Sequence, residues 1–181
     1  MMKQMVRIIG GKYRGRKLHF PDIKGLRPTS DRIRETLFNW LMYDIQDASV
    51  LDAFAGSGAL GFEAASRGAR SVVMVEASKI ATNGLRKQAD LWGDVTTTIL
   101  CQDVLDYLQH CKNAFDIIFL DPPFGTQLLN SAIDLILKRN LLAPQGIIYV
   151  ETSITNSFDA SVLTIIKEKK AGQVCYRLLK S

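Results

Sequence analysis

Residues 52–61, DAFAGSGALG, decide the fold of this chain. They complete the apolar run ASVLDAF and lead into the helical pattern LGFEAASRG. A strand, a glycine turn and a helix in that order predict the first unit of a parallel α/β sheet. Gly56, Gly58 and Gly61 have the GxGxxG spacing associated with dinucleotides, yet Asp52 stands just ahead of them. The stretch therefore predicts a nucleotide-like ligand. Which ligand it is depends on the charged residues near the glycines.

The remaining sequence repeats this alternation of strands and helices. Further apolar runs end in VVMVE, TTILC, FDIIFLD and GIIYVE, and residues 162–180 predict two strands joined by a glycine turn. Continuous apolar strands separated by helices predict a Rossmann-like α/β fold. We expect a seven-stranded, mostly parallel sheet with one antiparallel strand and with helices on both faces.

The amino-terminal segment is predicted to form an arm and a helix ahead of this sheet. VRII and RKLHF flank GGKYRG, which favours a β-hairpin. SDRIRETLFNWLMYDI predicts an amphipathic helix capped by Ser30 or Asp31, with Arg32 and Arg34 projecting away from its apolar face. We expect one domain made of three parts: a basic arm and connector at 1–29, a helix at 30–45 and a ligand-binding core at 48–181.

Basic charge is concentrated in the first 40 residues. These carry ten Lys or Arg against three Asp or Glu, whereas the whole chain has a net charge of only +5. Such a segment is either a solvated, solubilising surface or an electrostatic footprint for a polyanion. Tyr13, His19 and Phe20 lie among the basic residues, as in surfaces that neutralise phosphates and stack bases. The sequence thus favours a nucleic-acid partner.

Composition argues against several other classes of protein. No stretch approaches the roughly 20 apolar residues of a membrane span, and the amino terminus lacks the apolar region of a secretory signal peptide. Three cysteines without a CxxC pair, and only two histidines, favour neither a disulfide framework nor a zinc site. We expect a cytoplasmic protein without membrane association and without a metal.

Acidic residues stand at the ends of four consecutive predicted strands. Asp52, Glu76, Asp103 and Asp121 each follow an apolar run, and ligands of doubly wound sheets bind outside these carboxyl ends. Glu76 is placed to hold ribose hydroxyls, and Asp103 to accept from an adenine amine. Asp52 would repel a pyrophosphate but would attract the ammonium and sulfonium groups of S-adenosylmethionine. The charges therefore predict S-adenosylmethionine instead of a dinucleotide.

The segment FDIIFLDPPF predicts what kind of group receives the methyl. Two consecutive prolines remove two N–H donors, which leaves the carboxylate of Asp121 and the carbonyl of Pro122 as acceptors. Two acceptors on an exocyclic amine favour a pyramidal nitrogen whose lone pair faces the methyl group. Phe124 offers a face on which a base can stack. We expect methylation of a base amine; a rigid turn followed by a core Phe is the alternative.

Several of these motifs carry a resemblance to known families. DAFAGSGALG, VVMVEAS, CQD and FDIIFLDPPF together resemble class I S-adenosylmethionine-dependent methyltransferases that modify amines. RIIGGKYRGRKL, LRPTSDRIRETLFNWL and AGQVCYRLL are more specific, and from Arg7 to Leu179 the chain resembles the bacterial 16S rRNA guanine-N2 methyltransferases of the RsmD type. The resemblance implies methylation of the N2 amine of a guanine in 16S rRNA, within the small ribosomal subunit or an assembly intermediate of it. We expect the protein to be a monomer.

The resemblance also implies, by position, three sets of site residues. The cofactor, whose product is S-adenosylhomocysteine, would be held by Asp52, Gly56, Gly58, Glu76 and Asp103. The target amine would meet Asp121, Pro122 and Phe124. Phosphates of rRNA would be held by Arg7, Lys12, Arg14, Arg16, Lys17 and Arg27. The stretch Arg27-Pro28-Thr29 would lie near the mouth of the site.

Four alternatives stay open, of which methylation of a free ribosomal protein is disfavoured by the base-stacking Phe and the basic arm. An adenine-N6 methyltransferase acting on RNA or DNA would share the DPPF motif, although 181 residues leave no room for a separate DNA target-recognition domain. A non-catalytic RNA-binding chaperone that keeps a vestigial fold would have no use for Asp121. A dehydrogenase would bind a nicotinamide dinucleotide at the same glycines.

Overall fold

The computed structural model describes residues 4–20, 29–123, 126–155 and 162–181, which form nine strands and five helices. The strands are β1 (Gln4–Arg7), β2 (Lys17–Phe20), β3 (Ser49–Asp52), β4 (Ser71–Glu76), β5 (Thr97–Cys101), β6 (Phe115–Leu120), β7 (Leu142–Ser153), β8 (Thr164–Ala171) and β9 (Val174–Lys180). The helices are α1 (Asp31–Trp40), α2 (Ala59–Ser66), α3 (Lys79–Trp92), α4 (Val104–His110) and α5 (Leu128–Lys138). Within these residues, no helix is long and apolar enough to span a bilayer.

Seven of the strands form one sheet in the order β5-β4-β3-β6-β7-β9-β8. The strands from β5 to β7 pair in parallel, and β9 is antiparallel to both of its neighbours. The predicted seven-stranded, mostly parallel sheet with one antiparallel strand is confirmed. Chain order reverses between β3 and β6, so the crevice outside their carboxyl ends is the expected ligand site.

Consecutive residues of the central strands alternate between two apolar layers. Val50 and Phe119 pack in the layer that contains α1, α2 and α3, whereas Leu51 and Leu120 pack in the layer that contains α4 and α5. All four side chains are buried, as expected for a parallel sheet covered on both faces. Because the alternation has a period of two, side chains two residues beyond Val50 and Phe119 face the α1–α3 layer.

The amino-terminal arm is the predicted hairpin, and it is folded onto the core. β1 and β2 pair antiparallel, and their apolar side chains join the α1–α3 layer. Tyr13 and Phe20 are buried, and the Tyr13 ring lies 5.1 Å from that of Trp92. The expectation that these two aromatic rings stack bases is therefore wrong, because a two-stranded hairpin needs a core to bury its apolar face.

Helix α1 begins as predicted, but only one of its two arginines is exposed to solvent. The Ser30 hydroxyl caps it by accepting from the backbone N–H of Ile33, and the helix ends at Trp40, five residues earlier than expected. Arg32 is exposed, but Arg34 is fully buried, which corrects the expectation that it projects into solvent. Its guanidinium donates to Asp31 and to the carbonyl of Arg7, because the folded arm supplies acceptors above the helix.

A buried carboxylate holds the arm, α1 and α2 together. Glu63 is fully buried and accepts from the backbone N–H groups of Ile9 and Gly10, at 2.9 and 2.8 Å. It also accepts from the guanidinium groups of Arg34 and Arg67, at 3.2 and 2.8 Å. We call this arrangement the Glu63 clamp. Four donors, two of them cationic, satisfy one buried carboxylate, so the clamp fixes the arm in place.

Candidate active site

The turn between β3 and α2 depends on its glycines for two different reasons. Gly56 and Gly58 have φ values of 51° and 79°, the left-handed region that glycine adopts without strain. Gly61 has ordinary helical geometry, but a Cβ there would lie 2.5 Å from the terminal carbon of Met74. Two glycines therefore bend the turn, and the third lets α2 pack closely against β4.

Two of the predicted cofactor carboxylates shape this turn. Asp52 is buried, and its Oδ2 accepts from the backbone N–H of Gly61 at 2.9 Å. Glu76 accepts from the N–H groups of Gly56 and Ser78, at 2.9 and 2.7 Å. Burial raises the pKa of Asp52 to about 7, and the nearby charge of Glu76 adds to the shift. The structure thus brings both carboxylates to the glycine turn and anchors the turn to them.

Asp103 lies at the end of the next strand along the edge of the sheet. Its Oδ1 accepts from the backbone N–H groups of Leu105 and Asp106, at 2.9 and 3.0 Å, and caps α4. The side chain is otherwise exposed, two residues beyond Cys101, which pairs with Glu76. The cap uses one carboxylate oxygen of Asp103. The residue lies at the same edge of the sheet as Asp52 and Glu76.

Asp121 follows β6 on the α1–α3 face of the crevice. The hydroxyl of Thr29 donates to its Oδ2 at 3.3 Å, so the stretch before α1 does reach the site. Burial raises the pKa of Asp121 well above its usual range, and the charges of Glu151 and Asp52 add to the shift. Pro122 is buried behind it. Phe124, Arg27 and Pro28 lie outside the described residues.

Glu151 is a site residue that the sequence interpretation missed. It follows Val150, the parallel partner of Leu120, so it stands beside Asp121 on the neighbouring strand. Glu151 is 4% exposed, accepts from the hydroxyl of Tyr149 at 2.8 Å, and has its pKa raised by burial. Its signal was present, because GIIYVE ends in an acid as the four preceding strands do.

Three acids thus meet on one side of the crevice, and we call Asp52, Asp121 and Glu151 the acidic trio. Asp52 and Glu151 are buried, and Asp121 is half-buried. Across residues 4–20, 29–123, 126–155 and 162–181, no Lys, Arg or His side chain forms an ion pair with any of them. In the same part of the chain, no group of three or more His, Cys, Asp or Glu side chains is arranged to hold a metal ion. An uncompensated negative site repels a pyrophosphate and fits a ligand that carries positive charge or N–H donors.

The basic residues of the arm lie away from this crevice. Arg7, Lys12, Arg14, Arg16 and Lys17 are all exposed. The turn of the hairpin packs at the far ends of α2 and α3, where the backbone N–H of Tyr13 donates to Ser66 and the Tyr13 ring contacts Trp92. At about 1.5 Å per residue, α3 separates this turn from the crevice by roughly 20 Å.

Two cations of the hairpin turn lie over aromatic rings of the turn and of α3. The guanidinium of Arg16 lies 5.0 Å from the ring centre of Tyr13 and 5.9 Å from that of Trp92. The ammonium of Lys12 lies 4.7 Å from the Tyr13 ring and forms an ion pair with Asp94 at 3.5 Å. The buried ring of Tyr13 therefore holds the side chains of Lys12 and Arg16 in place, and its face is covered by them and not available to a ligand.

Comparison with known proteins identifies the family. Residues 6–180 match the family described as conserved hypothetical protein 95. The ribosomal RNA small subunit methyltransferase D of Haemophilus influenzae is 45% identical over 99% of this chain and 95% of its own length. A solved Escherichia coli structure is 42% identical, covers 97% of both chains and has a TM-score of 0.88.

A more distant structure shares the fold. The Thermus thermophilus 16S rRNA N2-guanine methyltransferase, solved with AdoMet and guanosine, has a TM-score of 0.75 at 22% identity. It covers 98% of this chain and 49% of its own. The glycine turn, the row of acidic strand ends and these matches lead to one conclusion: the chain belongs to the conserved hypothetical protein 95 family, the RsmD family of S-adenosylmethionine-dependent rRNA methyltransferases.

Proposed function

We propose that this chain methylates the exocyclic N2 amine of a guanine in 16S rRNA of the small ribosomal subunit. The observation that carries the proposal is the acidic trio, which lies at the switch point of the sheet beside the glycine turn and has two of its three members buried. The relative from Haemophilus influenzae is named for the small-subunit RNA, and the Thermus enzyme of the same fold was solved with guanosine. These names support the substrate and the target base. Such a substrate places the enzyme in the cytoplasm, where we propose that it acts as a monomer.

The cofactor is proposed to lie across the ends of β3, β4 and β5. S-Adenosylmethionine supplies the electrophilic methyl group when it is bound. Gly56 and Gly58 let the backbone approach it closely, and the buried charge of Asp52 favours its ammonium and sulfonium groups. Glu76 and Asp103 are proposed to accept from the ribose hydroxyls and the adenine amine. The residues present fit this cofactor, because the site concentrates negative charge and the turn has no bulky side chain.

The target amine is proposed to lie over Asp121 and Pro122. The carboxylate of Asp121 accepts from one N–H and the carbonyl of Pro122 from the other, which directs the nitrogen lone pair towards the methyl group. Thr29 holds the carboxylate in place through its hydrogen bond to Oδ2. As positive charge develops on the nitrogen, the raised pKa of Asp121 suits it to take up the amine proton. Phe124 is proposed to stack on the base.

Recognition of rRNA is proposed to use the arm together with the crevice. The Glu63 clamp holds the hairpin on the core, so its basic residues are positioned before RNA binds. The phosphate contacts are assigned to Arg7, Lys12, Arg14, Arg16, Lys17 and Arg27. The hairpin turn is roughly 20 Å from the crevice along α3, so one folded RNA would contact both surfaces.

Methyl transfer from labelled S-adenosylmethionine to small ribosomal subunits that lack their native base methylations tests the proposal. Nucleoside analysis is expected to recover the label as N2-methylguanosine, and the Asp121→Ala variant is expected to abolish it. Label in N6-methyladenosine would overturn the choice of base. Absence of label from assembled subunits and from assembly intermediates would overturn the choice of substrate.

A further inference from the structure

Glu151 is a buried acid that no described cation compensates. The hydroxyl of Tyr149 donates to it at 2.8 Å, and the oxygen of a neutral glutamine could accept this bond without the cost of a buried charge. Where this chain buries a carboxylate for stability, at Glu63, it supplies two guanidinium groups. The buried carboxyl group of Glu151 therefore points to donors that arrive with a ligand.

The position of Glu151 matches the substrate side of the crevice. Asp52 stands at the end of β3, beside the glycine turn, whereas Glu151 lies on β7, beyond Asp121. Neighbouring strands are about 4.8 Å apart, and both side chains face the α1–α3 layer. Asp121 and Glu151 thus present two acceptors side by side, at the place proposed for the target base.

Guanine has a matching edge and adenine does not. On its Watson–Crick edge, guanine carries the N2 amine next to N1–H, which are two adjacent donors. Adenine carries one amine next to the N1 lone pair, and a carboxylate placed there would meet another acceptor. A polar site built for a donor strongly rejects the analogue that lacks it.

We propose that Glu151 is a specificity-determining residue that accepts from N1–H of the target guanine while Asp121 accepts from its N2 amine. The proposal rests on the function proposed above and names the feature of the base that the site selects. Asp121 alone would accept any exocyclic amine. Glu151 restricts the site to bases whose amine adjoins a ring N–H.

The test uses 2-aminopurine, which keeps the amine at C2 but has a lone pair at N1. Wild-type enzyme first identifies the modified guanosine, and small subunits are then rebuilt with guanosine or 2-aminopurine at that position. Wild-type kcat/KM is expected to favour guanosine by about 100-fold. Glu151→Gln is expected to narrow this preference by about 10-fold or more, because the amide can donate to N1 of 2-aminopurine. Its affinity for S-adenosylmethionine should stay within about two-fold of the wild-type value.

If Glu151→Gln methylates neither substrate, a fluorescence measurement still compares how well the base enters the site. 2-Aminopurine emission rises when the base leaves the stack, so it reports entry into the site without chemistry. The variant should fold, because the amide oxygen can still accept from Tyr149 and the substitution removes the electrostatic repulsion between Glu151 and Asp121. Glu35→Gln, on the exposed surface of α1, is the matched control and should keep the wild-type preference.

The outcomes separate the two proposals. If wild-type enzyme forms no N2-methylguanosine, the proposed function fails. If wild-type enzyme does form it, the inference is overturned by two results together. Glu151→Gln would lower kcat/KM for guanosine and for 2-aminopurine by the same factor, and its relative binding of 2-aminopurine RNA and guanosine RNA would equal that of wild type. Glu151 would then have a structural role only. A smaller preference of Glu151→Gln for guanosine over 2-aminopurine, in kcat/KM or in binding, supports the inference.

Discussion

Glu63 and the acidic trio lie on the same side of the sheet, and the protein compensates their carboxyl groups differently. Glu63 accepts from two guanidinium groups and two backbone N–H groups, all within the chain. The acidic trio has three carboxylates and, among the described residues, no ion-pair partner. A charge matched inside the protein contributes to holding elements together, whereas an unmatched one lowers stability unless a ligand compensates it.

Loss of a carboxylate should have different consequences at Glu63 and in the acidic trio. Removal of Glu63 leaves the buried Arg34 with the exposed Asp31 as its remaining acidic partner and frees two backbone N–H groups of the arm, so stability should fall. Removal of a member of the trio relieves repulsion, so stability should hold while activity falls. Active sites commonly reduce stability in this way.

The largest effect is expected at the Glu63 clamp. Glu63→Ala should lower the free energy of unfolding by about 3–5 kcal/mol, because it removes the buried carboxylate that pairs with Arg34 and Arg67 and leaves the N–H groups of the arm without their acceptor. Urea unfolding measures this change, and hydrogen exchange at the amides of Ile9 and Gly10 should show release of the arm. Glu35→Ala, on the exposed side of α1, is the control. A loss below about 1 kcal/mol would show that the clamp is not structural.

The next effect concerns catalysis at Asp121. Asp121→Ala should lower kcat by about 100-fold or more, because the amine loses its acceptor as charge develops. Affinity for S-adenosylmethionine and the free energy of unfolding should not fall. Single-turnover methylation, calorimetry and urea unfolding measure the three quantities. Asp134→Ala, on the exposed side of α5, should leave all three unchanged. A variant that retains kcat would contradict the proposed role.

A smaller effect is the response of stability to pH. The folded-state pKa of Asp52 is about 7, above its unfolded value, so the folded protein keeps a proton that the unfolded chain releases. The stabilisation linked to this proton is complete below about pH 4 and is lost as pH rises through about 7. Between these limits, one such group contributes a slope of up to about 1.4 kcal/mol per pH unit.

Comparison of wild type with Asp52→Asn isolates that slope. Urea unfolding of the ligand-free proteins between about pH 5 and about pH 7 should show a shallower decline in the variant. Parallel curves for the two proteins would mean that Asp52 is ionised throughout this range, and the trio would then be compensated in a way that the contacts do not show.

The smallest effect is expected on the surface of the arm. Arg14→Ala should weaken rRNA binding and reduce the slope of log affinity against log salt by about one unit, because one phosphate contact is lost. Its stability and its affinity for S-adenosylmethionine should not change. Filter binding over a range of salt concentrations measures the slope. Arg139→Ala, an exposed arginine after α5 on the opposite face, should give the wild-type slope; an equal reduction there would refute a specific footprint on the arm.

The sequence by itself determined the architecture and the row of acids at the strand ends. These follow from local rules: an apolar run of β-branched residues forms a buried strand, a positive φ favours glycine at Gly56 and Gly58, and ligands bind outside the carboxyl ends of parallel strands. Asp52, Glu76, Asp103 and Asp121 were found this way, because each follows its own strand in the sequence.

Only the tertiary structure decided which charges are matched and which are not. Arg34 was expected in solvent and is buried, because its acceptors come from the arm and from α2. Tyr13 was expected to stack a base and instead packs on Trp92. Glu151 meets Asp121 because β6 and β7 pair in parallel at a register that no local pattern specifies. Hydrophobic periodicity is a property of neighbouring residues, whereas compensation of a buried charge depends on segments distant in sequence that meet only when the chain folds.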